Sequence, residues 1–486
     1  MTRNFILAFG GTGARCVEAF TYLCASRAFD AGARVLVIDP DSHHGNVADA
    51  LRQLQRYHTL HAALDSPGAE TFFGAPLNAE RDASSFAWDY TGATDTFASR
   101  LGLPRTPEHQ DLLQLLYAEA DLNMSFEKGF VGRTHVGSLD VYRTLRRAFV
   151  NIRATMASDT AAERDTLGAF FRDLRNAGQE GAPARLMVFG SVFGGTGASG
   201  IPALPFLLDD ILHDVRKNLT LGSVPLTSYF SFGPPANPER DPDSTLHPLA
   251  TQAALFHYAH SVTGYDRVYL VGSPHRRATA DGNDPGGHAQ RNRAHYAELG
   301  AALAAADFFR TPPDGSPTVS TCGTPAVAWE SLPLSGELAL RRHFIALTTL
   351  SLFHARYLHP AIQAERHVGS EWQRSLARRT RGGLDAGNES ESRKLHDFAL
   401  RFLRWAGEVQ GSVPGAEVLF RVGEPGDHTA LGRVDGADRD GALAYHRLYE
   451  GLNRAGRVEQ NRPAGWYLTA ASRAVTRFCD AHYRNR

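Results

Sequence analysis

Apolar residues in the first forty positions fall into two short runs with a helical pattern between them. Phe5-Ile6-Leu7-Ala8-Phe9 is uninterrupted and Ala33-Arg34-Val35-Leu36-Val37-Ile38 is nearly so, as expected of strands covered on both faces. Residues 14–29 carry the helical pattern, and Asp39-Pro40-Asp41 closes the second run. Strand, helix and strand in so short a span predict a βαβ unit, and hence a parallel sheet with a right-handed crossover.

Periodicity weakens over residues 42 to about 130, which hold Pro, Gly, Ser and Thr clusters and one amphipathic stretch at 108–120. This part reads as an insertion, at about 65–130, lying over the sheet as a lid. Helices are then expected at 141–156 and 161–177, a strand at 186–193, and a helix at 201–217. Next come a strand at 226–232, a helix at 249–263, a short strand at 267–271 and a long alanine-rich helix at 289–309. Thr311-Pro312-Pro313-Asp314-Gly315-Ser316-Pro317 is the clearest breaker and marks a domain boundary. Beyond it the pattern is mostly helical (337–359, 370–381, 389–409), with strand candidates only at 325–329 and 417–422. The expected fold is α/β: a Rossmann-like parallel sheet domain over 1–288, a central helix over 289–310, and a largely helical domain over 311–486.

Two glycine-rich loops sit at corresponding places in this pattern. Gly10-Gly11-Thr12-Gly13 follows the first strand, and Gly194-Gly195-Thr196-Gly197-Ala198-Ser199-Gly200 follows the strand at 186–193. A strand, a glycine turn and a helix start aim backbone N–H groups at a phosphate. Two such loops predict one polyphosphate held from two sides. The chain has three lysines, Lys128, Lys217 and Lys394, and none follows a glycine loop, so the Gly-Lys-Ser/Thr of a P-loop is missing. Protein-kinase motifs and a Gly-x-Ser-x-Gly elbow are also missing. A dinucleotide site is the competing reading, because Asp39 stands where an acid would hold a ribose hydroxyl. The spacing argues against it, since Arg15 and Cys16 occupy the place of the third glycine.

Composition narrows the class. At 486 residues, with 43% hydrophobic and 21% charged residues, the chain has the make-up of an ordinary globular protein of two or three domains. No apolar run reaches the roughly 18–20 residues of a membrane span, and no signal peptide is read. Four cysteines without metal-ligand spacing fit a cytoplasmic location. The net charge of −1 offers no bulk attraction to nucleic acid or membrane. From residue 341 onward there are 23 basic and 16 acidic residues, an excess spread along helices and read as a solvated face. His43-His44 beside Asp39 and Asp41 is read as a solvated loop rather than a metal site.

The second loop resembles the signature of the tubulin/FtsZ superfamily, Gly-Gly-Gly-Thr-Gly-Ser/Thr-Gly, with Phe193 in place of the first glycine. The order of elements is similar too: a first glycine loop, an acidic loop after the second strand (Asp39, Asp41), and Gly132-Arg133-Thr134-His135-Val136-Gly137 before a long helix. The resemblance covers roughly residues 1–310. It implies a bacterial tubulin-like protein that binds GTP or GDP without a P-loop lysine, with Mg²⁺ accompanying the nucleotide. By it, Gly10, Gly11, Thr12 and Gly13, with Cys16 behind them, would face the α- and β-phosphates, and Asp39 and Asp41 would lie beside the nucleotide. Gly194, Gly195, Thr196, Gly197, Ala198 and Ser199 would wrap the β- and γ-phosphates. Glu239 and Arg240 would approach the ribose, and Asn292 the guanine. Hydrolysis would draw on acids after the central helix, where the candidates are Asp307 and Asp314 without the family's motif. Two assemblies are therefore expected: a GTPase forming filaments, or a switch or scaffold that docks protein partners through its C-terminal half.

Overall fold

The computed structural model describes residues 3–41, 43–64, 67–78, 86–90, 95–102, 106–155, 166–180, 184–227, 229–231, 246–261, 264–273, 277–278, 287–311, 317–322, 328–360, 391–412, 448, 450–452 and 463–483. In chain order the elements are β1 (Asn4–Phe9), α1 (Gly10–Ala25), β2 (Arg34–Asp39), α2 (Gly45–Ala62), β3 (Ala87–Asp89), α3 (Phe97–Leu101), α4 (Pro107–Leu116) and α5 (Glu119–Leu122). There follow α6 (Thr134–Thr155), α7 (Thr166–Gln179), β4 (Ala184–Ser191), α8 (Gly195–Ile211), β5 (Leu219–Leu226), β6 (Phe230–Ser231), α9 (Leu246–Ser261), β7 (Arg267–Val271) and β8 (Arg277–Ala278). The rest are α10 (Tyr296–Arg310), β9 (Thr318–Cys322), α11 (Leu340–Phe353), α12 (Glu391–Gln410) and α13 (Pro463–Tyr483).

Seven strands form one parallel sheet in the order β3-β2-β1-β4-β5-β7-β9. Alternation along each central strand feeds two cores. Ile6, Ala8, Val35, Val37, Met187 and Phe189 turn to the face covered by α1, α2 and α10. Phe5, Leu7, Phe9, Leu36, Ile38, Leu186 and Val188 turn to the face covered by α6, α7 and α8. Both faces are dry, which is why these strands read as continuous apolar runs rather than alternating ones. The expected parallel α/β sheet flanked by helices is what forms.

Several elements depart from the sequence reading. The strand after α8 lies at Leu219–Leu226, its pattern obscured by Gly222, Ser223 and Pro225, and only the two-residue β6 falls inside the expected 226–232. The long helix begins at Tyr296, not at 289. His295 caps its first turn by accepting from the Ala297 N–H, and Glu298 answers the His295 N–H, so residues 289–294 stay outside the helix. Both glycine loops are themselves the first turns of their helices, which start at Gly10 and Gly195. The inserted region supplies β3, paired to β2 at the sheet edge, so it is part of the sheet as well as a cover. Trp329 lies in a 3₁₀ turn, while 325–327, 370–381 and 417–422 fall outside the described residues.

Helices α11, α12 and α13 share one apolar cluster with α1, α2 and α10. Polar contacts tie the layers together. The Arg401 guanidinium donates to both oxygens of Glu18 at 2.7 and 2.9 Å, and the Tyr22 hydroxyl donates to the same carboxylate. Glu18 is almost wholly buried on α1, so its charge depends on Arg401. Arg401→Met is expected to lower unfolding free energy by about 3–5 kcal/mol in a denaturant titration, because it strands a buried carboxylate. Adding Glu18→Gln should recover much of the loss; a single variant as stable as the parent would contradict the account.

Candidate functional site

Strand order reverses between β1 and β4, the two central strands, and the helices that follow them leave on opposite faces. In an open α/β sheet this is where a crevice opens beyond the carboxyl ends of the strands. Here the crevice is a cavity of about 120 Å³, lined by residues of both glycine turns. One water requires roughly 15 Å³.

The two turns touch. Gly10 takes a left-handed φ of +74°, and a Cβ built on it would stand 3.1 Å from the Thr196 Cβ and 3.6 Å from the Gly197 nitrogen. Only a residue without a side chain adopts that φ cheaply at such a close approach. Phe9 and Gly194, the N-cap residues of α1 and α8, give no side-chain cap. The first-turn N–H groups of both helices therefore lack intrahelical partners, and their positive ends converge on one cavity.

A third segment closes the far wall. A Cβ on Gly195 would meet the Phe130 Cβ at 2.8 Å and the Gly132 nitrogen at 3.0 Å, so the turn at 126–132 lies directly on the second glycine turn. It brings Lys128, Gly129, Phe130, Val131 and Gly132 to the cavity. A fourth segment forms the rim: Gly287 N–H donates to Asp41 Oδ2 at 2.6 Å, and Asn292 N–H to Asn46 Oδ1 at 2.9 Å. These bonds set Gln290 and Asn292 at the cavity edge.

Two titratable groups sit among the donors. The Asp39 carboxylate, at the end of β2, accepts from the Asp41 N–H at 3.1 Å, with the Thr196 hydroxyl and the Gly11 N–H as further polar neighbours. Burial pushes it up to about 7; the Asp41 N–H opposes that push, the Asp41 charge adds to it, and the other two donors oppose it. His44 is buried over Gly11, and a Cβ on Gly11 would collide with its ring. Its Nδ1 accepts from the Asn46 N–H at 3.2 Å, which leaves the proton on Nε2. Burial moves its pKa down to about 4, against the pull of Asp41, so the ring is a neutral donor at pH 7.

Of the residues singled out by sequence, Gly10, Gly11, Thr12, Asp39, Gly194, Gly195, Thr196, Gly197 and Asn292 line the cavity. Gly13 instead packs α1 onto the strands, where a Cβ would meet the Phe189 carbonyl at 2.9 Å. Cys16 is fully buried behind it, and burial raises its thiol pKa. Ala198 is buried off the cavity, and the Ser199 hydroxyl donates to the carbonyls of Gly195 (2.6 Å) and Thr134 (3.3 Å), so it holds the loop in shape. Asp41 is spent on the Gly287 and His43 N–H groups. Asp307 lies at the other end of α10, where it accepts from the Tyr269 hydroxyl at 2.6 Å and faces Arg267. Glu239, Arg240 and Asp314 are outside the described residues. Arg15 does not face the cavity: it pairs with Glu298 and donates to the Arg293 carbonyl at 2.6 Å, over the Phe230 ring.

Sequence reasoning missed Lys128, His44, Asn46, Phe130, Phe230 and Gln290. His44 is buried at the cavity rather than solvated, because α2 begins at Gly45 and turns the ring inward as its N-cap. The signal for the 126–132 turn was Lys128-Gly129 followed by Gly132, read only from Gly132 onward. Among the described residues, no group of three or more His, Cys, Asp or Glu is placed to hold a metal ion, and no helix is long and apolar enough to cross a membrane. Compared with protein-family models, curated proteins and solved structures, the chain matches none.

Gly197→Ala would set a Cβ 2.5 Å from the Ser191 nitrogen and 2.8 Å from its carbonyl oxygen, both backbone. The helix must then shift, and melting should show a loss of about 1–3 kcal/mol. Gly336→Ala, which meets nothing within 4 Å, should leave the melt unchanged. Equal melts for the two variants would show that the turns have slack.

Proposed function

We propose that the chain is a tubulin-like nucleotide-binding protein that grips a guanine nucleotide by its phosphates between the two glycine turns. The observation that carries this reading is the meeting of two uncapped helix N-termini at one cavity. Such ends favour anions through oriented N–H groups and the helix dipole. Thr12, Thr196 and the His44 Nε2–H add neutral donors, and Lys128 adds one mobile cation. Guanine rests on the family resemblance and on Asn292 at the cavity edge.

Binding is supported further than turnover. Asp39 is the one carboxylate among the described lining residues, and it accepts from the Asp41 N–H of its own loop. Asp307 is held by Tyr269 and Arg267 at the other end of α10, so within one chain it supplies nothing to the phosphates. The switch or scaffold reading is therefore placed ahead of the filament-forming GTPase. It gains from the bonds that join the rim to the C-terminal helices: the Ala294 N–H donates to Glu408 at 2.9 Å and the Tyr296 N–H to Ser412 at 3.0 Å. A dinucleotide-dependent oxidoreductase loses ground, because Asp39 is buried and accepts from the Asp41 N–H instead of presenting a free carboxylate to a ribose.

Denaturing the purified protein should release GDP or GTP, identified by chromatography. Calorimetry on the emptied protein should show guanine nucleotide bound more tightly than NAD, with turnover negligible. Lys128→Ala should weaken binding about tenfold and flatten its salt dependence, since one exposed cation is lost. Absence of released nucleotide together with no binding of GDP or GTP would remove the reading.

A further inference from the structure

Three histidines meet where the end of α11 packs on α12 and α13. After Phe353 the helix continues as a π-helical turn, His354–Leu358, a widening that is rare in helices and concentrated at functional sites. That turn carries His354, His359 follows it, and α12 presents His396. The His359 and His396 rings stack, 4.0 Å between centroids and 19° between planes, and the His354 ring lies 5.9 and 6.5 Å from them. His354 and His359 are 0% and 1% exposed, and His396 is half-buried.

Hydrogen bonding defines the neutral state of the cluster. A carbonyl only accepts, so the His354 Nε2–H donates to the Ser392 carbonyl at 3.2 Å, and Nδ1 is left to accept from the Tyr467 hydroxyl of α13 at 3.4 Å. The Nδ1 of His359 meets the Ser392 hydroxyl at 3.3 Å. The Nε2 of His359 and the Nδ1 of His396 are buried without a partner. Orphaned polar atoms cost free energy that apolar side chains in the same space would not. The rings stack instead of converging on a point, so they are no ligand set for a metal.

We propose that the three histidines form an acid-operated latch, closed while every ring is neutral and opened by protonation, which frees α12 from α11 and α13. Opening reaches the cavity through the contacts of α12: Arg401 holds Glu18 of α1, and Glu408 holds the chain entering α10.

The surroundings set the direction. A proton on one ring places a cation against two neighbours in a dry site. Among the described residues, the other groups acting on the rings are Tyr467, a neutral hydroxyl, and Arg393 and Asp397 of α12. Asp397 is already shared between Arg393 at 3.2 Å and Arg56 of α2 at 3.7 Å. Burial, and after it the neighbouring rings, moves His354 down to about 3 and His359 down to about 4; burial also lowers His396. Released rings titrate at about 6.5. The open form therefore binds more protons below that value, so the latch holds fully above it and weakens as pH falls through it.

The test is hydrogen exchange with mass spectrometry on the full chain at pH 7.5, 6.5 and 5.5, read as protection factors so that the intrinsic pH dependence of exchange cancels. Protection of the α12 amides should fall on the order of several hundredfold between pH 7.5 and 5.5 as the three rings charge, while β1 and β4 change little. The double variant His359→Asn with His396→Gln keeps polar side chains of similar reach that take up no proton, and its fall should shrink to about tenfold. Protection of α12 that stays level in the parent, that falls no more than in β1 and β4, or that falls equally in parent and double variant overturns the proposal. If the double variant fails to fold by circular dichroism at pH 7.5, His396→Gln alone, at the half-buried position, decides: its fall should be several times smaller than the parent's, and an equal fall overturns the latch.

Discussion

The parallel pairing of β1 with β4 forces two positive helix ends together. Ala8 lies in register with Phe189, so both strands deliver their chains to the same level of the sheet. Both chains turn at once into helices, α1 to one face and α8 to the other. Two like partial charges then stand in contact with no capping side chain on either. The strand beside β1, β2, ends at Asp39, whose buried carboxyl group lines the same cavity. The cavity, its donors and its buried carboxylate all follow from that one strand pairing.

The C-terminal helices bear on the same place from behind. Arg401 of α12 neutralises Glu18 one turn beyond the first glycine run. Arg15, between them, pairs with Glu298 at the start of α10, and Ser412 and Glu408 hold the chain that enters α10. Gln290 and Asn292, on the cavity rim, are therefore only a few residues from bonds made by α12 and the residue just past it. A shift of the rim has to be absorbed by that layer or passed to it, because close-packed interiors do not deform smoothly. This is a mechanical connection between the cavity rim and the helical layer, formed of hydrogen bonds and buried ion pairs.

Much of the fold was legible in the chain because dry parallel strands write themselves as apolar runs. β1, β2, β4 and β7 stand close to where the pattern put them, and both glycine turns were marked by composition alone. β5 was displaced because Gly222, Ser223 and Pro225 break its apolar run, although Gly222 is required beneath the Phe308 ring. The start of α10 was misplaced because Ala289, Gln290, Arg291, Arg293 and Ala294 upstream are also good helix formers, and the mutual His295–Glu298 cap fixes the end. The site was legible as far as its local turns. The 126–132 turn, His44 and the rim arrive through contacts made far along the chain, such as Phe130 on Gly195 and Gly287 on Asp41, which no local pattern records.

The scarcity of fixed cations explains why shape is so tightly held here. A P-loop lysine forgives small errors of position, because a point charge acts over distance, whereas an N–H donor loses most of its value beyond about 3.2 Å. In this chain Lys128 is exposed and reaches the cavity from a separate turn, so in the proposed reading the main contribution falls to amides and hydroxyls. Such groups bind an anion well only when held in place beforehand. That requirement accounts for the packing around the turns: Gly197 against the Ser191 backbone, Phe130 on Gly195, and the Ser199 hydroxyl spent on Gly195 rather than offered to a ligand. Side chains that look like ligand donors in the sequence, Ser199 among them, are braces that hold the backbone of the turns in place.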